Sequence, residues 1–259
     1  MSELKALLFD VDGTLAETEE VHRQAFNSAF AEAGLDWVWD QDLYRQLLAV
    51  TGGKERIRYY LDRFNPEFPR PAALDDFIAG LHQAKTRHYT ETVEGGRVPL
   101  RPGVRRLIEA ARDAGLRLAI ATTTTPANVT ALLRASLAED AEDWFELIAA
   151  GGVVPNKKPA PDIYDYSLEK LGLQPEQCLA LEDSRNGLRS ALAAGIPTLV
   201  SVSHYTQGED FDGALLVVDQ LGEPDQPFRV LAGDAAGASH VDVDLLRQLH
   251  AAATEAAPA

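Results

Sequence analysis

Short apolar runs that end abruptly at polar residues recur along the chain. The first, Ala-Leu-Leu-Phe at residues 6–9, gives way at once to Asp10. A run that is apolar throughout, rather than at alternate positions, is typical of a strand buried on both faces of a parallel sheet. We therefore predict five strands, at residues 6–9, 116–121, 178–181, 198–202 and 214–218.

Helical periodicity occupies much of the chain between the later strands. Each helix predicted there is closed by a glycine, the residue that most often follows the last turn of a helix. These helices cover residues 104–114, 161–171 and 184–194. Strands that alternate with helices of this length form crossover connections and a parallel sheet. The predicted fold class is therefore α/β, with a Rossmann-like, doubly wound parallel sheet as its core.

Residues 16–92 lack strand-like runs and show helical periodicity instead. The four helices predicted in this segment cover residues 17–33, 40–48, 54–64 and 74–89. The pair Gly52-Gly53 marks a loop, and a second glycine pair at residues 95–96 marks a hinge. We therefore predict an α-helical cap domain at residues 16–92, inserted into an α/β catalytic core of residues 1–15 and 93–259. The alanine-rich tail after residue 251 is expected to be frayed.

The composition restricts the partners of the protein. Its 259 residues include 40 Asp plus Glu against 24 Lys plus Arg, and the net charge of −16 argues against nucleic acid and anionic membranes as partners. The single cysteine, Cys178, cannot form an internal disulfide bond. No apolar run approaches the roughly 20 residues of a membrane helix, and no signal pattern follows Met1. We expect a soluble, cytoplasmic protein.

Asp10 and Asp12 are candidates for catalysis and metal binding. They lie two residues apart at the end of a strand, so the pleat directs both side chains to one face, where like charges need a counterion. Glu182 and Asp183 follow another predicted strand and should reach the same edge of the sheet. Oxygen ligands in this number, without clustered Cys or His, favour Mg²⁺ over zinc.

Thr122 and Lys158 are candidates for holding a phosphate. Thr122 follows a third predicted strand, next to a helix N-terminus expected before Pro126, where hydroxyl and amide groups bind anions. Lys158 lies in a loop fixed by prolines and would neutralise a phosphoryl group opposite the carboxylates. Each segment alone is commonly an ordinary turn or helix cap, but their occurrence together at strand ends indicates a site.

Together these segments resemble the motifs of the haloacid dehalogenase superfamily of phosphotransferases. The four segments occur in order at residues 9–15, 121–123, 158–162 and 181–187, and the resemblance covers nearly the whole chain. The helical insertion resembles the small helical cap of this family. The resemblance implies a phosphoric monoester hydrolase that forms a covalent aspartyl-phosphate intermediate.

The resemblance also implies catalytic roles for individual residues. Asp10 would be the nucleophile, and Asp12 would protonate the leaving sugar oxygen and then take a proton from the attacking water. Thr122, the Thr123 amide and Lys158 would hold the oxygens of the phosphoryl group during transfer. Many members of the family have serine at the position of Thr122, and threonine keeps the hydroxyl group.

A Mg²⁺ cofactor is a further implication of the resemblance. The ion would be bound by the Asp10 carboxylate, the Asp12 main-chain carbonyl and Asp183. Glu182 would act on the ion through water. Mg²⁺ usually keeps several waters and uses few protein carboxylates together with substrate phosphate, which fits this set of residues.

The cap is expected to select the substrate. Residues 51–58 place three cations after a glycine loop, and residues 85–88 form a second cationic cluster. Such cations suit the distal phosphate of a sugar bisphosphate beneath a closing lid. We favour Lys54 over Arg56 for this contact, because residues two apart on a helix do not share a face. The expected substrate-binding residues are Glu17, His22, Thr51, Gly52, Gly53, Lys54, Lys85 and Thr123.

Overall likeness to one branch of the family implies a particular substrate, xylulose 1,5-bisphosphate, an inhibitor of the Calvin-cycle enzyme Rubisco. A sugar-phosphate mutase is the nearest alternative, because His22 and Lys85 resemble residues with which β-phosphoglucomutases position the sugar and the proton donor. Another small phosphomonoester phosphatase, such as a phosphoglycolate phosphatase, also remains open. A dehalogenase would leave Asp12 without a role, and a response-regulator receiver domain is shorter. We expect a monomer.

Overall fold

In the residues that the computed structural model describes, 3–96 and 98–256, one sheet of seven strands organises the fold. The strands are β1 (Ala6–Phe9), β2 (Arg117–Ala121), β3 (Leu147–Ala149), β4 (Cys178–Glu182), β5 (Thr198–Ser201), β6 (Leu216–Val218) and β7 (Val230–Gly233). Their order across the sheet is β3-β2-β1-β4-β5-β6-β7. Neighbouring strands pair in parallel, except β6 and β7, which are antiparallel.

Helices connect most of these strands. They are α1 (Glu19–Glu32), α2 (Gln41–Leu47), α3 (Gly53–Arg63), α4 (Leu74–Glu94), α5 (Val104–Asp113), α6 (Pro126–Ser136), α7 (Asp162–Leu171), α8 (Arg185–Ala193) and α9 (Val243–Ala256). Pro126 opens α6, and the N-cap hydroxyl of Ser184 accepts a hydrogen bond from the Gly187 amide in the first turn of α8. Within the described ranges, no helix has the length and apolarity needed to cross a membrane.

Hydrophobic layers lie on both faces of the sheet. Leu7 and Phe9 of β1 pack into one layer, whereas Leu8 packs into the other. The first layer includes apolar residues of α5, α6 and α9, and the second includes residues of α7 and α8. Helices on both faces of a mostly parallel sheet give the doubly wound α/β fold that the sequence predicts.

The carboxyl ends of three central strands lie side by side. Phe9, the last residue of β1, pairs with Ile120 of β2 and with Leu181 of β4. The Asp10 amide then donates a hydrogen bond to the Leu181 main-chain oxygen, at 3.0 Å. This register brings the polar segments that follow the three strands to one edge of the sheet, where ligands of such sheets bind.

Helices α1 to α4 lie between β1 and α5 and form a helical cap. Their shared core is an aromatic cluster that includes Phe26, Phe30, Trp37, Trp39 and Tyr44. The rings of Phe30 and Trp39 meet edge to face with centroids 4.9 Å apart. Edge-to-face pairs add about 0.5–1.5 kcal/mol to the stabilisation from area burial. The cap is therefore held together by side chains of its own.

One residue from outside the cap enters the aromatic cluster. Tyr205, in the segment after β5, is 5% exposed and packs edge to face against Tyr44, with centroids 5.7 Å apart. The Tyr205 hydroxyl donates a hydrogen bond to Glu20 of α1 at 2.6 Å. The segment after β5 is therefore joined directly to the cap.

The structure contains elements that the sequence did not predict. Only Ala149 of β3 is buried and all four residues of β7 are exposed, so neither strand has the fully buried apolar run on which the predictions rest. The expectation of a frayed tail is wrong for residues 251–256, because α9 continues to Ala256. Leu246 of this helix is fully buried in the core, and His250 Nε2 lies 2.9 Å from the Glu176 main-chain oxygen. These contacts anchor the last described helix.

Candidate active site

Lys158 lies at the centre of a buried cluster of charges. Its Nζ donates hydrogen bonds to Asp10 Oδ1 at 2.7 Å, to Glu182 Oε1 at 2.6 Å and to the Ala121 main-chain oxygen at 2.8 Å. These three acceptors belong to the ends of three different strands, and they satisfy all three donors of the ammonium group. Lys158 therefore joins β1, β2 and β4 at the edge where the polar segments meet.

Three carboxylates converge beside Lys158. Asp10, Glu182 and Asp183 each offer an oxygen within 4.8 Å of the others, and all three residues are buried. Among the described residues, Glu182 Oε2 has no hydrogen-bond partner. A single lysine does not neutralise three buried carboxylates, so the cluster is short of positive charge. Oxygen ligands of this kind fit a hard divalent cation such as Mg²⁺.

Burial changes the ionisation of this cluster. Burial raises the pKa of Asp10 to about 7, against the attraction of Lys158. Burial, and then the charges of Asp10 and Glu182, also raise the pKa of Asp183 well above its usual value. For Lys158, burial alone would lower the pKa, but the same two negative charges raise it. A bound cation would favour the ionised form of the carboxylates.

Asp12 is held by donors from the cap and from the segment that enters it. Thr18 Oγ1 donates a hydrogen bond to Asp12 Oδ1 at 2.6 Å, and His22 Nε2 lies 2.9 Å from the same oxygen. Lys85 Nζ lies 2.5 Å from His22 Nδ1. A lysine ammonium only donates, so Nδ1 accepts and Nε2 carries the proton that is donated to Asp12. His22 and Lys85 thus orient Asp12 through a line of hydrogen bonds.

The two aspartates of the first motif have opposite pKa shifts. Burial acts to raise the pKa of Asp12, but hydrogen bonds from His22 and Thr18 and the charge of Lys85 bring it below its usual range. Burial lowers the pKa of Lys85 to about 8, although the charges of Asp12 and Glu19 oppose this decrease. Environments that separate the pKa values of two neighbouring carboxyl groups are typical of sites in which the two groups have different roles.

Thr122 and Thr123 line the same cavity as Asp10 and Lys158. Thr122 directly follows β2 and is 1% exposed, and its amide donates to the Ala149 main-chain oxygen at 3.0 Å. Helix α6 begins three residues after Thr123, and its N-terminal segment also lines the cavity. Free amides and the helix dipole at such an end favour an anion.

The glycine loop of the cap lines the cavity from the other side. Gly52 has a φ of +96°, a left-handed conformation that favours glycine. A Cβ on Gly53 would lie 2.5 Å from the His82 ring, so this position also lacks room for a side chain. Asn186 of α8 donates from Nδ2 to Thr51 Oγ1 at 3.2 Å. This hydrogen bond links the loop to the sheet core across the cavity.

The structure places Arg56, rather than Lys54, in the cavity. Arg56 is buried, and its Nη1 donates to the Tyr44 hydroxyl at 2.8 Å. The same Nη1 lies 4.0 Å from Glu19 Oε2. Lys54 instead lines a separate cavity between α3 and α4. The two cations occupy different faces of α3, as the helical spacing predicts, but the face toward the active site is the one that carries Arg56.

Glu17 lies apart from the residues that line the central cavity in the described structure. Its Oε1 is 3.3 Å from Arg101 Nε, and both of its carboxylate oxygens accept from the His204 amide at 3.3 Å. Its predicted contact with a sugar hydroxyl therefore has no support from this arrangement and stays a prediction. His22, Thr51 and Lys85, by contrast, all line the cavity.

Several residues of the site carry no clear signal in the sequence. His82 lines the cavity between Gly53 and Lys85, and burial followed by the charges of nearby cations lowers its pKa to about 3. Asn128, in the first turn of α6, is buried and donates to Thr124 Oγ1 at 2.8 Å. Asn186 also lines the cavity, but the sequence does carry a signal for it, because it lies within the fourth motif at residues 181–187.

The fold and the site define a class of protein. Residues 4–195 match the family described as haloacid dehalogenase-like hydrolase. This match includes β1 to β4, all of the helical cap and the four clusters that meet at the sheet edge. The chain belongs to this family, and it is a hydrolase of the phosphatase class.

The relatives of the chain include CbbY proteins. It is 52% identical over 249 residues to the plasmid CbbY protein of Cupriavidus necator, with 95% of this chain and 97% of the relative covered. CbbY from Rhodobacter sphaeroides, solved in complex with phosphate, is 50% identical with a TM-score of 0.79, over 84% of this chain and 94% of that chain. A mutant of that protein was solved in complex with xylulose-(1,5)bisphosphate and matches with the same score, identity and coverage.

Proposed function

We propose that the protein is a Mg²⁺-dependent phosphatase that converts xylulose 1,5-bisphosphate to xylulose 5-phosphate. The observation that carries this proposal is the buried cluster of Asp10, Lys158 and Asp183 in a cavity whose cap wall contains Arg56 and Lys85. A relative with 50% identity to this chain was solved with xylulose-(1,5)bisphosphate, which supports the choice of substrate. The reaction would remove an inhibitor of Rubisco.

Asp10 is the nucleophile in this proposal. Lys158 donates to Oδ1, whereas among the described residues Oδ2 receives only a long contact from the Thr14 hydroxyl, at 3.4 Å. Oδ2 is therefore the oxygen with a lone pair available for attack on phosphorus. Attack forms the bond between Oδ2 and phosphorus and breaks the bond between phosphorus and the sugar oxygen, which leaves a covalent aspartyl-phosphate.

Asp12 handles the protons of both half-reactions. It gives a proton to the departing sugar oxygen and later takes one from the water that attacks the aspartyl-phosphate. The lowered pKa of Asp12 keeps its carboxyl group ionised, the form that can accept a proton in the second step. In the first step, the negative charge of the phosphate bound next to Asp10 would raise that pKa and favour the protonated form. Thr18 and His22 keep the carboxyl group oriented throughout.

The remaining motif residues hold the phosphoryl group and the metal. The Thr122 hydroxyl, the Thr123 amide and the Lys158 ammonium would donate hydrogen bonds to its oxygens, the positioning on which phosphoryl transfer depends. The Asp10 carboxylate, the Asp12 main-chain oxygen and Asp183 would bind Mg²⁺, with Glu182 acting through water. Bound there, Mg²⁺ would supply positive charge that reduces repulsion between the nucleophile and the phosphate.

The cap supplies the second phosphate site. Arg56 and Lys85 are the cap cations that line the cavity, and both are buried. In a site from which water is excluded, the attraction between these cations and an anion is stronger than at the surface. A substrate with a second phosphate would therefore gain affinity that a sugar monophosphate lacks. Lys54 is exposed and lines the cavity between α3 and α4, so it is not among the residues that line the central cavity in the described structure.

Phosphate release from a panel of sugar phosphates tests the proposal. The panel contains xylulose 1,5-bisphosphate, xylulose 5-phosphate, glucose 1-phosphate and phosphoglycolate, each with and without EDTA. We expect Mg²⁺-dependent release from the bisphosphate, with kcat/KM at least about 100-fold above that for each monophosphate, the order of a charge-assisted contact in a buried site. Release that persists after chelation would contradict the role of the metal.

The same panel separates the phosphatase from its nearest alternative. The line of hydrogen bonds from Lys85 through His22 to Asp12 would also serve a mutase, because it orients the group that transfers protons. A mutase would convert glucose 1-phosphate to glucose 6-phosphate without net phosphate release. That result would replace the phosphatase proposal. Equal turnover of mono- and bisphosphates would show that the cap cations do not bind a second phosphate.

A further inference from the structure

Arg101 is a buried arginine whose guanidinium group is surrounded by main-chain oxygens. Nη1 donates to the Gly13 main-chain oxygen and, at 2.8 Å, to that of Ser201. Nη2 donates to the main-chain oxygens of Val202 at 2.7 Å and Asp219 at 2.8 Å. Only 7% of the residue is exposed, so these contacts replace water that the guanidinium would otherwise bind.

Three of these acceptors lie at the ends of two neighbouring strands of the sheet. Ser201 is the last residue of β5, Val202 follows it, and Asp219 directly follows β6. A guanidinium group has a planar fork of donors, so four main-chain acceptors on it fix its position and its orientation. The sheet ends therefore act as an anchor for the fourth acceptor, Gly13.

Gly13 is the acceptor that concerns catalysis. It directly follows Asp12, and its φ of +84° puts it in the left-handed region. A Cβ at Gly13 would lie 2.1 Å from Asp183 Oδ2, so this turn packs tightly against the proposed metal ligand. A small rotation of the Gly13 peptide would move the neighbouring Asp12 main chain relative to Asp10 and Asp183.

Arg101 also lies where the chain returns from the cap. Its amide donates to the Leu15 main-chain oxygen at 2.9 Å, and Leu100 forms an antiparallel bridge with Ala16. Its Nε lies 3.3 Å from Glu17 Oε1, on the outgoing connection. The two connections between cap and core thus run side by side, and Arg101 binds both the outgoing one and the catalytic turn.

We propose that Arg101 is a positioning residue that fixes the Asp12–Gly13 turn, and through it the Asp10 and Asp12 carboxylates, against the ends of β5 and β6. Arg101 touches neither substrate nor metal in this proposal and acts through the Gly13 carbonyl. The proposal rests on the function proposed above only in taking Asp10 and Asp12 as the reacting groups. Its signature is a loss of kcat with little change in KM, because a displaced catalytic group slows the chemical step more than it weakens binding.

Arg106 provides a matched control. Its Nη1 and Nη2 donate to the main-chain oxygens of Val241 at 3.0 Å and Gly222 at 2.7 Å, and its Nε binds Glu223 at 2.8 Å. It therefore joins main-chain segments as Arg101 does, but it contacts none of the proposed catalytic residues. Substitution of Arg106 should cost stability without changing the chemistry at Asp10.

The test compares Arg101→Met, Arg101→Lys and Arg106→Met with the unchanged enzyme. For Arg101→Met we expect kcat to fall about 100-fold while KM changes less than about threefold, which corresponds to a displacement of about 1 Å. The kcat of Arg101→Lys should be about tenfold higher than that of Arg101→Met, because the ammonium group restores part of the hydrogen bonding of the guanidinium group. Arg106→Met should keep kcat within about twofold, even where its melting temperature falls as far as that of Arg101→Met.

Each assay is normalised to the folded fraction and run on both p-nitrophenyl phosphate and xylulose 1,5-bisphosphate. If the unchanged enzyme hydrolysed p-nitrophenyl phosphate but not xylulose 1,5-bisphosphate, the proposed substrate would be wrong. The ratios of kcat between variants on p-nitrophenyl phosphate would still test the role of Arg101. Equal kcat for Arg101→Met and Arg106→Met per folded enzyme would overturn the positioning role.

A milder variant covers the case in which the Arg101 variants do not fold. Ser201 Oγ accepts from Arg101 Nη1 at 3.0 Å, and Ser201→Ala removes this one contact. Ser167→Ala is its control, because Ser167 is also buried and its hydroxyl binds a main-chain oxygen within α7. We expect Ser201→Ala to lower kcat about threefold at constant KM. An unchanged kcat in Ser201→Ala would count against the proposal.

Discussion

Lys85 and His22 are hydrogen-bonded between two helices of the cap, with 2.5 Å between Lys85 Nζ and His22 Nδ1. The other ring nitrogen of His22 lies 2.9 Å from Asp12. Charge on Lys85 therefore decides which tautomer of His22 is present, and with it whether Asp12 receives a proton-bearing nitrogen. A residue of α4 thus controls the orientation of the proposed proton donor.

The first prediction concerns pH dependence through Lys85. Its pKa is lowered to about 8, so the ammonium that donates to His22 is present below that pH and is lost as pH rises through it. We expect kcat to decrease between about pH 7 and pH 9. Lys85→Met should lower kcat about 10- to 100-fold at pH 7 and remove this decrease. The measurement is a kcat profile across this range.

A control for this profile is Lys170→Met, which removes an exposed lysine at the end of α7. Its profile should match that of the unchanged enzyme. If Lys85→Met retained the decrease above pH 7, another group would be responsible and the role of Lys85 would be wrong.

The second prediction distinguishes the two cap cations on α3. Arg56 is buried and lines the central cavity, whereas Lys54 is exposed and lines the cavity between α3 and α4. Arg56→Met should raise KM for a sugar bisphosphate about 10- to 100-fold and change KM for a monophosphate much less, because one charge-assisted contact to the distal phosphate is lost. Lys54→Met should change either KM by less than about twofold. Steady-state kinetics on both substrates show which cation binds the distal phosphate. A larger effect of Lys54→Met than of Arg56→Met would support Lys54, the residue favoured from the sequence.

The third prediction concerns stability without metal. The pKa of Asp10 is raised from 3.8 to about 7, so the unfolded chain ionises at a lower pH than the folded protein. Stability from this group is present at low pH and is lost as pH rises through about 7. In EDTA we therefore expect a lower free energy of unfolding at pH 8 than at pH 5, and a smaller difference for Asp10→Asn. Urea denaturation measures both.

Addition of Mg²⁺ at pH 8 should restore much of the lost stability, because a cation that binds only the folded protein shifts the equilibrium toward it. Asp183→Asn should respond to Mg²⁺ much less than the unchanged protein. A melting temperature that rises equally with Mg²⁺ in both proteins would place the ion elsewhere.

The fourth prediction concerns the nucleophile. Asp10→Asn replaces the attacking oxygen by an amide group, so no aspartyl-phosphate should form, and kcat should fall at least about 10⁴-fold. Rapid quench with phosphate-labelled substrate detects the intermediate in the unchanged enzyme. Asp113→Asn, an exposed carboxylate at the end of α5, is the matched control and should keep full activity. Full activity in Asp10→Asn would exclude the covalent mechanism.

The convergence of Asp10, Thr122 and Glu182 was predictable from the sequence. Strands that end in polar residues in a parallel sheet deliver those residues to one edge whatever the details of packing. The position of Arg56 was not predictable, because the face of α3 that turns to the cavity depends on how the aromatic cluster seats the helix. Spacing separated Arg56 from Lys54 correctly but left the direction of each face undefined.

Arg101 illustrates a second kind of information that sequence patterns lack. Its acceptors are main-chain oxygens, which every residue has, and Ser201 and Asp219 lie 100 and 118 positions away along the chain. No local motif marks such a contact. The short strands β3 and β7 escaped prediction for a related reason, because pairing with a neighbouring strand defines them more than their own apolar content does.

Tyr205 packs into the cap's aromatic cluster, so opening of the cap for substrate entry would be coupled to exposure of this ring to water. A movement of the cap away from the sheet would either expose the Tyr205 ring to water or carry the segment after β5 along with the cap. Thr206 and Glu209 of that same segment line the cavity, so in the second case the walls of the site move with its lid. Uptake and release of sugar phosphate would then change the polarity around the Tyr205 ring. The rate at which the cap opens would depend on how closely that ring packs in the aromatic cluster.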